Sequence, residues 1–228
     1  MHKEQELILF SGGVDSTILL ESFLKEKRNV AVLYNQLGYN LSTQPRIPLQ
    51  NETVTKILTY FKQQGYDFEY INAGLYLNIP ARKPGSGGTD TDDQYNALLA
   101  GMVCRALNIK KIYSGIFTYT DINRIKMLSE NSFWYFSGEM EEFIQYGTGN
   151  HPYYKDIKYL TPMHKEIPEF LKKLDNRLSS KKEAFNYLNP ELRKLVRSCN
   201  TELFFCGNCY KCQTYIEHDI KNKEGIIL

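Results

Sequence analysis

Residues Ser11 to Ser16, with the sequence Ser-Gly-Gly-Val-Asp-Ser, carry the clearest chemical signal in the chain. Adjacent glycines let a backbone turn sharply and approach a ligand closely. A short apolar run precedes them and a helical pattern follows, so the amide groups at the helix start favour an anion. The hydroxyls of Ser11 and Ser16 add donors suited to phosphate oxygens. The alternative is a structural strand-to-helix turn capped by a serine or an aspartate.

Asp15 is an unexpected member of an anion site, because its carboxylate would repel a phosphate. A Mg²⁺ ion between this carboxylate and a pyrophosphate group would remove the repulsion. The segment fits neither the dinucleotide pattern GxGxxG nor the triphosphate pattern GxxxxGK[ST]. The residues therefore predict a phosphate site of another type, which uses magnesium.

Four cysteines within 14 residues form a second cluster near the C-terminus. Their spacing lets several thiolates point at one ion, and four thiolates form a closed, structural zinc site. The competing interpretations are an iron–sulfur cluster, unmetallated thiols and a zinc ribbon that binds nucleic acid. Zinc is favoured because the outlying cysteine precedes the triplet and no Cys-Pro follows. The four residues are Cys199, Cys206, Cys209 and Cys212.

The elements that must position these groups alternate between strand and helix. This alternation is typical of a parallel sheet covered by helices on both faces. A ligand then lies at the carboxyl ends of the strands, where the connecting loops gather. The predicted strands are Glu6–Phe10, Val30–Tyr34, Phe68–Ile71 and Lys111–Gly115; the predicted helices are Thr17–Lys27, Glu52–Gln64, Gln94–Leu107, Glu139–Tyr146 and Lys165–Leu174; the predicted loops are 35–50 and 78–93, and 176–197 is polar with helical tendency.

Composition excludes several classes of protein. The 28 basic and 26 acidic residues give a formal net charge of +2, so charge does not indicate nucleic-acid binding. No stretch approaches the roughly 20 apolar residues that span a bilayer, and the start of the chain does not resemble a signal peptide. We therefore expect a cytoplasmic protein without a membrane partner, whose thiols stay reduced.

The glycine loop and the cysteine cluster together resemble the 7-cyano-7-deazaguanine synthase (QueC) family of PP-loop ATP pyrophosphatases. That family pairs an N-terminal SGGxDS loop with a C-terminal four-cysteine zinc site ending in CGxCxxC, here Cys206 to Cys212. Segments Tyr113 to Ile116 and Thr161 to Met163 are similar to family segments in the same order. The resemblance implies an adenine nucleotide alpha hydrolase-like α/β domain over 1–160 and a helical, zinc-binding region over 161–228.

The resemblance also implies a reaction and its residues. In that family ATP adenylates the carboxylate of 7-carboxy-7-deazaguanine, ammonia yields an amide and then a nitrile for queuosine biosynthesis, and AMP and pyrophosphate are released. The implied cofactors are ATP, Mg²⁺ and Zn²⁺, and a homodimer is implied as well. The residues are Asp15, Ser16 and Lys165 for catalysis, Asn96 and Asp121 for the substrate, and Ser11, Gly12, Gly13, Val14, Asp15, Ser16 and Thr17 for the nucleotide.

The family pattern changes where the base-like substrate should bind. The family's Pro-Gly-Arg-Asn stretch appears here as Asp93 to Asn96, and only the final asparagine matches. Asn35 to Tyr39 replaces an aromatic-glycine-Gln-Arg-His motif, and Ile122 to Arg124 replaces a Tyr-Pro-Asp-Cys-Arg run. The chain therefore resembles a divergent relative that uses a different carboxylate or passes the adenylate to another amine. Relatives in bacterial antiviral systems, where the acceptor is a protein amine, set that precedent.

Two other interpretations stay open. PP-loop proteins include tRNA thiolases and lysidine-type ligases, but those usually carry catalytic cysteines or an added RNA-binding domain, and the sequence shows neither. The chain could instead be a non-catalytic nucleotide-binding partner module, because the substrate segments are altered.

Overall fold

A computed structural model of the chain describes residues 4–39, 46–77, 89–115, 140–161 and 167–196, together with Cys212. These residues form a five-stranded sheet in which every pairing is parallel. The strands are β1 (Glu6–Leu9), β2 (Val30–Tyr39), β3 (Glu69–Leu77), β4 (Lys111–Ser114) and β5 (Lys158–Leu160), and their order across the sheet is β3-β2-β1-β4-β5.

Helices cover both faces of this sheet, as the alternating pattern predicts. One face carries α1, α2 and three short C-terminal helices, and the other carries α3 and α4. Among the described helices none combines the length and the apolar character needed to cross a membrane. The helices are α1 (Val14–Lys25), α2 (Arg46–Gln63), α3 (Thr89–Leu107), α4 (140–147), α5 (Glu169–Asp175), α6 (Lys181–Tyr187) and α7 (Pro190–Leu195).

The core lies in two layers, one on each face of the sheet. Successive residues of a strand point to opposite faces, so Leu7 joins the layer under α3 while Ile8 joins the layer under α1. Both side chains are fully buried, as are Ala31 and Val32 on β2. Burial on both faces explains why these strands are continuous apolar runs rather than alternating ones.

Two strands and two helices extend further than the sequence pattern predicts, so the loops predicted over 35–50 and 78–93 are partly wrong. β2 continues to Tyr39 and β3 to Leu77, because their backbones pair in register well past the apolar segment. Gln36 Nε2 donates to Asn72 Oδ1 across the two strands at 2.9 Å. Cross-strand pairing of this kind supports polar residues that propensity assigns to a loop. α2 begins at Arg46 and α3 begins at Thr89.

A buried ionic network ties the amino ends of the strands together. Glu6, which is 4% exposed, accepts two hydrogen bonds of 2.6 Å from the guanidinium of Arg28 and one of 3.1 Å from the Tyr113 hydroxyl. The guanidinium also lies over the rings of Phe23 and Phe170. Burial and the Glu6 carboxylate raise the pKa of the Tyr113 hydroxyl. The hydrogen bonds compensate for the burial of the carboxylate, so loss of one partner would leave an uncompensated buried charge.

Candidate phosphate-binding site

The loop at Ser11 to Gly13 emerges from the carboxyl end of β1, which is the central strand of the sheet. The Phe10 amide still pairs with the Leu33 carbonyl of β2 at 2.9 Å, and the chain then turns directly into α1 at Val14. A loop after the central strand is flanked by the ends of both neighbouring strands. The predicted placement of this loop, between a first strand and a helix at the carboxyl edge, is confirmed.

Gly12 is the residue that makes the turn possible. Its φ of +73° lies in the left-handed region, which glycine adopts without steric cost. A Cβ atom here would also lie 3.0 Å from Thr53 Cγ2 and 3.3 Å from Val54 Cγ2 on α2. Gly13 then occupies the N-cap position of α1 and supplies no side-chain cap. The helix start therefore carries no built-in side-chain acceptor from its own cap, which suits an anionic ligand.

The two serines close the loop into a hydrogen-bonded ring. The Ser11 amide donates to Ser16 Oγ at 3.2 Å, and the two hydroxyl oxygens also lie 3.2 Å apart. Ser16 Oγ lies 3.2 Å from the Gly13 carbonyl, to which it donates, and Thr17 Oγ1 donates to the same carbonyl at 2.8 Å. Gln50 Nε2 on α2 fixes the Ser11 carbonyl at 3.0 Å. The loop is therefore preorganised without a ligand.

Four residues predicted to bind the nucleotide differ in exposure. The side chains of Val14, Ser16 and Thr17 are buried, whereas Ser11 is exposed. Val14 and Thr17 consequently face the core, and any contact from them to a ligand would use the backbone. Ser11 presents its hydroxyl to the carboxyl edge of the sheet.

Asp15 is paired with a lysine that sequence reasoning missed. Lys181 Nζ lies 2.6 Å from both carboxylate oxygens of Asp15, and the two side chains are 13% and 32% exposed. The two residues are 166 positions apart in sequence. The sequence holds only a weak indication of this pair. A lysine in the first turn of a helix is unfavourable to the helix dipole, so such a position suggests that the lysine has a specific acidic partner.

The first turn of α6 holds Lys181 in place. The Glu183 amide donates to Ser180 Oγ at 3.0 Å, and the Ser179 amide and hydroxyl donate to Glu183 Oε2 at 2.8 and 2.6 Å. The two hydrogen bonds from Ser179 lower the pKa of the Glu183 carboxyl. Ala184, one turn on, is buried in the layer that also contains α1. The backbone of Lys181 is thus anchored by a helix cap and by the core.

Asn96, a predicted substrate residue, lies on α3 and contacts Asn35, which lies on β2 two residues past Leu33, the last β2 residue paired with β1. Asn35 Nδ2 donates to Asn96 Oδ1 at 3.0 Å and to the Asn96 carbonyl at 3.3 Å. Because a backbone carbonyl accepts only, the orientation of the Asn35 amide is determined. The Oδ1 atom of Asn35 is buried and has no hydrogen-bond partner among the residues described.

The other side of the loop is formed by the ends of β4 and β5. A Cβ atom on Gly115 would lie 2.8 Å from the backbone of Asp15 and Ser16, so glycine is required for this close approach. Thr161 follows β5 directly and is fully buried. Its hydroxyl finds no hydrogen-bond partner within the described part of the chain. Asn35 Oδ1, an acceptor, and the Thr161 hydroxyl, a donor and acceptor, therefore lie at the same edge as the loop without a partner among the described residues.

Several predicted site residues lie outside the described residues. These include the catalytic candidate Lys165, the substrate candidate Asp121 and three of the four cysteines, Cys199, Cys206 and Cys209. Cys212 is described and is buried. Within the described ranges, no three His, Cys, Asp or Glu side chains form a metal-binding group. The zinc site stays a prediction.

Comparison with known proteins shows that the fold of this chain is similar to that of several solved structures. No protein-family model matches the chain, and no curated protein matches it. A 4-thiouridine synthetase, solved with RNA and bound ATP, has a TM-score of 0.51 and 13% identity over 90% of this chain. This chain spans 46% of the synthetase, about half its length.

Two further solved structures are more distant. A predicted subunit of a tRNA methyltransferase from Methanocaldococcus jannaschii has a TM-score of 0.34 and 15% identity, over 76% of this chain and 74% of its own. The U34-tRNA thiolase NcsA from Methanococcus maripaludis, with its [4Fe-4S] cluster, has a TM-score of 0.42 and 14% identity, over 86% and 65%. The parallel sheet, the loop after its central strand and the synthetase likeness show that this chain has the adenine nucleotide alpha hydrolase-like, PP-loop fold.

Proposed function

We propose that the chain is an ATP-dependent ligase that splits ATP between the α and β phosphates, activates a carboxylate and forms a carbon–nitrogen bond. The observation that carries this proposal is the Ser11 to Ser16 loop, which turns at Gly12 and opens at the carboxyl edge of the central strand. The amino end of α1 and the exposed Ser11 hydroxyl suit the phosphate groups of a nucleotide.

The residues of the loop also fit a magnesium ion. Asp15 supplies a carboxylate, the ligand type that Mg²⁺ prefers, at the start of α1 and one-third exposed. When bound, Mg²⁺ neutralises charge on the phosphates. Asp15 would hold the ion, while the loop amides and the Ser11 hydroxyl bind phosphate oxygens and orient the α-phosphorus.

The proposed reaction proceeds in two steps. A carboxylate oxygen of the substrate attacks the α-phosphorus, the bond to the bridging oxygen breaks, and pyrophosphate leaves with that electron pair. Ammonia then attacks the carbonyl carbon of the acyl-adenylate, AMP leaves, and the proton of the ammonium passes to solvent. A nitrile would need a second ATP, which activates the amide oxygen before AMP leaves and the two amide protons are lost.

The substrate would bind beside the loop, where Asn35 Oδ1 and the Thr161 hydroxyl are buried at the carboxyl edge without a partner among the described residues. We propose 7-carboxy-7-deazaguanine as the first candidate carboxylate, because the loop and cysteine motifs resemble the QueC family. Lys165 and Asp121 remain proposed catalytic and substrate residues, and Zn²⁺ on the four cysteines remains the proposed structural metal. The homodimer and the cytoplasmic location also stay predictions.

A second candidate within this class is a ligase that joins the carboxylate to a protein amine, as in an antiviral system. The replacement of the family motif by Asn35 to Tyr39 favours it, because that segment lies where the substrate would bind. Sulfur transfer to tRNA would need a reactive thiol. Burial raises the pKa of the Cys104 thiol to about 12, so this cysteine would not carry sulfur.

The test is incubation of the purified protein with ATP, ammonia and 7-carboxy-7-deazaguanine. We expect AMP and pyrophosphate in equal amounts and a product whose mass is that of the amide or the nitrile. A parallel reaction without ammonia but with candidate protein acceptors distinguishes the second candidate by a mass gain on the protein. Formation of ADP and phosphate would contradict α,β-cleavage, and tight ATP binding without turnover would indicate a non-catalytic module.

Metal analysis of the same protein tests the cysteine site. We expect one zinc ion per chain and no visible absorption from iron–sulfur. Substitution of Cys212 by serine should lower the zinc content and the stability together. A brown protein with iron and acid-labile sulfide would overturn the zinc assignment.

A further inference from the structure

We propose that Lys181 is a further active-site residue, which holds Asp15 in the nucleotide-free protein and turns to phosphate oxygens when nucleotide binds. This role rests on the proposed nucleotide site. The observation behind it is the pair itself, in which Nζ lies 2.6 Å from both oxygens of the carboxylate. A cation from a C-terminal helix thus reaches the one acidic side chain of the loop.

The pair makes Lys181 and a magnesium ion competitors for Asp15. The ammonium contacts both carboxylate oxygens, so it covers the face that a metal ion would need. A Mg²⁺ ion and this ammonium would also repel each other at such a separation. Loading of the site therefore requires the lysine to move away from the carboxylate.

A nucleotide supplies the place to which the lysine moves. The polyphosphate carries more negative charge than a carboxylate. It would lie beside Asp15, within reach of the flexible four-carbon side chain of Lys181. The Lys181 side chain is 13% exposed where it contacts Asp15, so it already lies at the site in the nucleotide-free protein. An ammonium is a compact point charge with three rotatable donors, which suits a change of acceptor.

The framework around the lysine favours such an exchange. The Ser180 cap and the buried side chains of Ala184 and Phe185 anchor α6 against the layer that contains α1. The backbone can stay in place while the side chain rotates. The exchange also links the region after β5 to the occupancy of the nucleotide site.

The test measures binding rather than turnover. An ATP analogue with a methylene group between the α and β phosphorus atoms, which the proposed reaction cannot split, is titrated by calorimetry across a range of Mg²⁺ concentrations. The proteins are the wild type, Lys181→Met, Lys181→Arg and the control Lys182→Met. Lys182 is the exposed neighbour in the same helix turn.

We expect two opposite changes in Lys181→Met. The Mg²⁺ concentration for half-maximal binding falls by about twofold to fivefold, because the competitor for Asp15 is gone. The affinity at saturating Mg²⁺ falls by about 10- to 100-fold, because a charge-assisted contact to phosphate is lost. Lys181→Arg should keep the Mg²⁺ midpoint near that of the wild type, and Lys182→Met should change neither quantity.

The outcomes separate this role from a structural one. A purely structural lysine would lower the melting temperature of Lys181→Met without moving the Mg²⁺ midpoint, and that result overturns the proposal. If Lys181→Met does not fold, Lys181→Gln, which is polar and uncharged, gives the same comparison. Failure of the wild type to bind the analogue refutes the nucleotide site. If the wild type binds the analogue, and the Lys181 variants have the same affinity and the same Mg²⁺ midpoint, only the exchange is refuted.

Discussion

The two ends of the central strands differ in whether their buried polar groups have hydrogen-bond partners. At the amino end, Glu6 is buried, but its carboxylate accepts three hydrogen bonds from Arg28 and Tyr113. At the carboxyl end, Asn35 Oδ1 and Thr161 Oγ1 are buried, and neither has a partner among the described residues. In the part of the chain that the structure describes, the buried polar atoms of Glu6 are therefore satisfied at one edge of the sheet, whereas two buried oxygens at the other edge are not.

The difference indicates where further contacts are needed. An unsatisfied buried polar atom costs about 1 to 3 kcal/mol, so each of these two oxygens marks a place where a ligand or a segment outside the described residues would supply a contact. The loop at Ser11 to Ser16 is by contrast closed by its own serines and by Gln50. Under the proposed function, the phosphate half of the site is built in advance and the substrate half is completed on binding.

The largest expected effect is at the carboxyl edge, in Asp15→Asn. Loss of the carboxylate should lower the rate of pyrophosphate release by about 100- to 1,000-fold, because the proposed charge compensation at the phosphates is lost. The measurement is the initial rate of pyrophosphate formation, with exposed Asp156→Asn as the matched control. An Asp15→Asn enzyme with wild-type rates would remove Asp15 from the reaction.

A large effect on stability alone is expected at the amino edge, in Arg28→Met. This change leaves the Glu6 carboxylate buried without its cation, so the free energy of unfolding should fall by about 3 kcal/mol. Denaturant titration measures it, and nucleotide affinity should not change. The control is Lys56→Met, which breaks an exposed pair with Glu52 and should cost less than about 0.5 kcal/mol. Equal losses in the two variants would show that the buried network is not special.

An intermediate effect is expected for Gly12→Ala, which strains the turn. An alanine at a positive φ costs about 1 to 2 kcal/mol, and the added Cβ also approaches Thr53. Both stability and nucleotide affinity should fall. Gly65→Ala is the control, because Gly65 has a φ of +83° and open space around it. If Gly65→Ala costs as much as Gly12→Ala, the contact with α2 contributes nothing.

The smallest expected effect is a gain in stability, at the carboxyl edge of the sheet. It tests directly whether a buried polar group at that edge lacks a partner. Thr161→Val replaces a buried, unpartnered hydroxyl by a methyl group and should raise the free energy of unfolding by about 1 kcal/mol. Thr148→Val is the control, since the buried Thr148 hydroxyl donates to the Gln145 carbonyl at 2.8 Å, and its loss should destabilise. A destabilised Thr161→Val protein would mean that its hydroxyl is satisfied after all.

Much of the fold was predictable because its signals are local. The continuous apolar strands and the amphipathic helices predict a doubly covered parallel sheet, and the structure has one. The errors concern β2, β3 and the starts of α2, α3 and α5, and the short strand β5 was not predicted. For β2 and β3, pairing between backbones overrides local preference. Asn35, which a pattern of polar residues assigns to a loop, lies instead in a strand.

The sequence by itself determined the turn at Ser11 to Ser16, because two adjacent glycines and the hydroxyls of two nearby serines make most of it locally. Tertiary structure alone decided the long-range contacts at and near the loop: Lys181 pairs with Asp15, Gln50 donates to the Ser11 carbonyl, and Asn35 donates to Asn96. The physical reason is that such pairs depend on how helices pack across the sheet. No spacing along the chain encodes a contact between side chains that lie 166 residues apart.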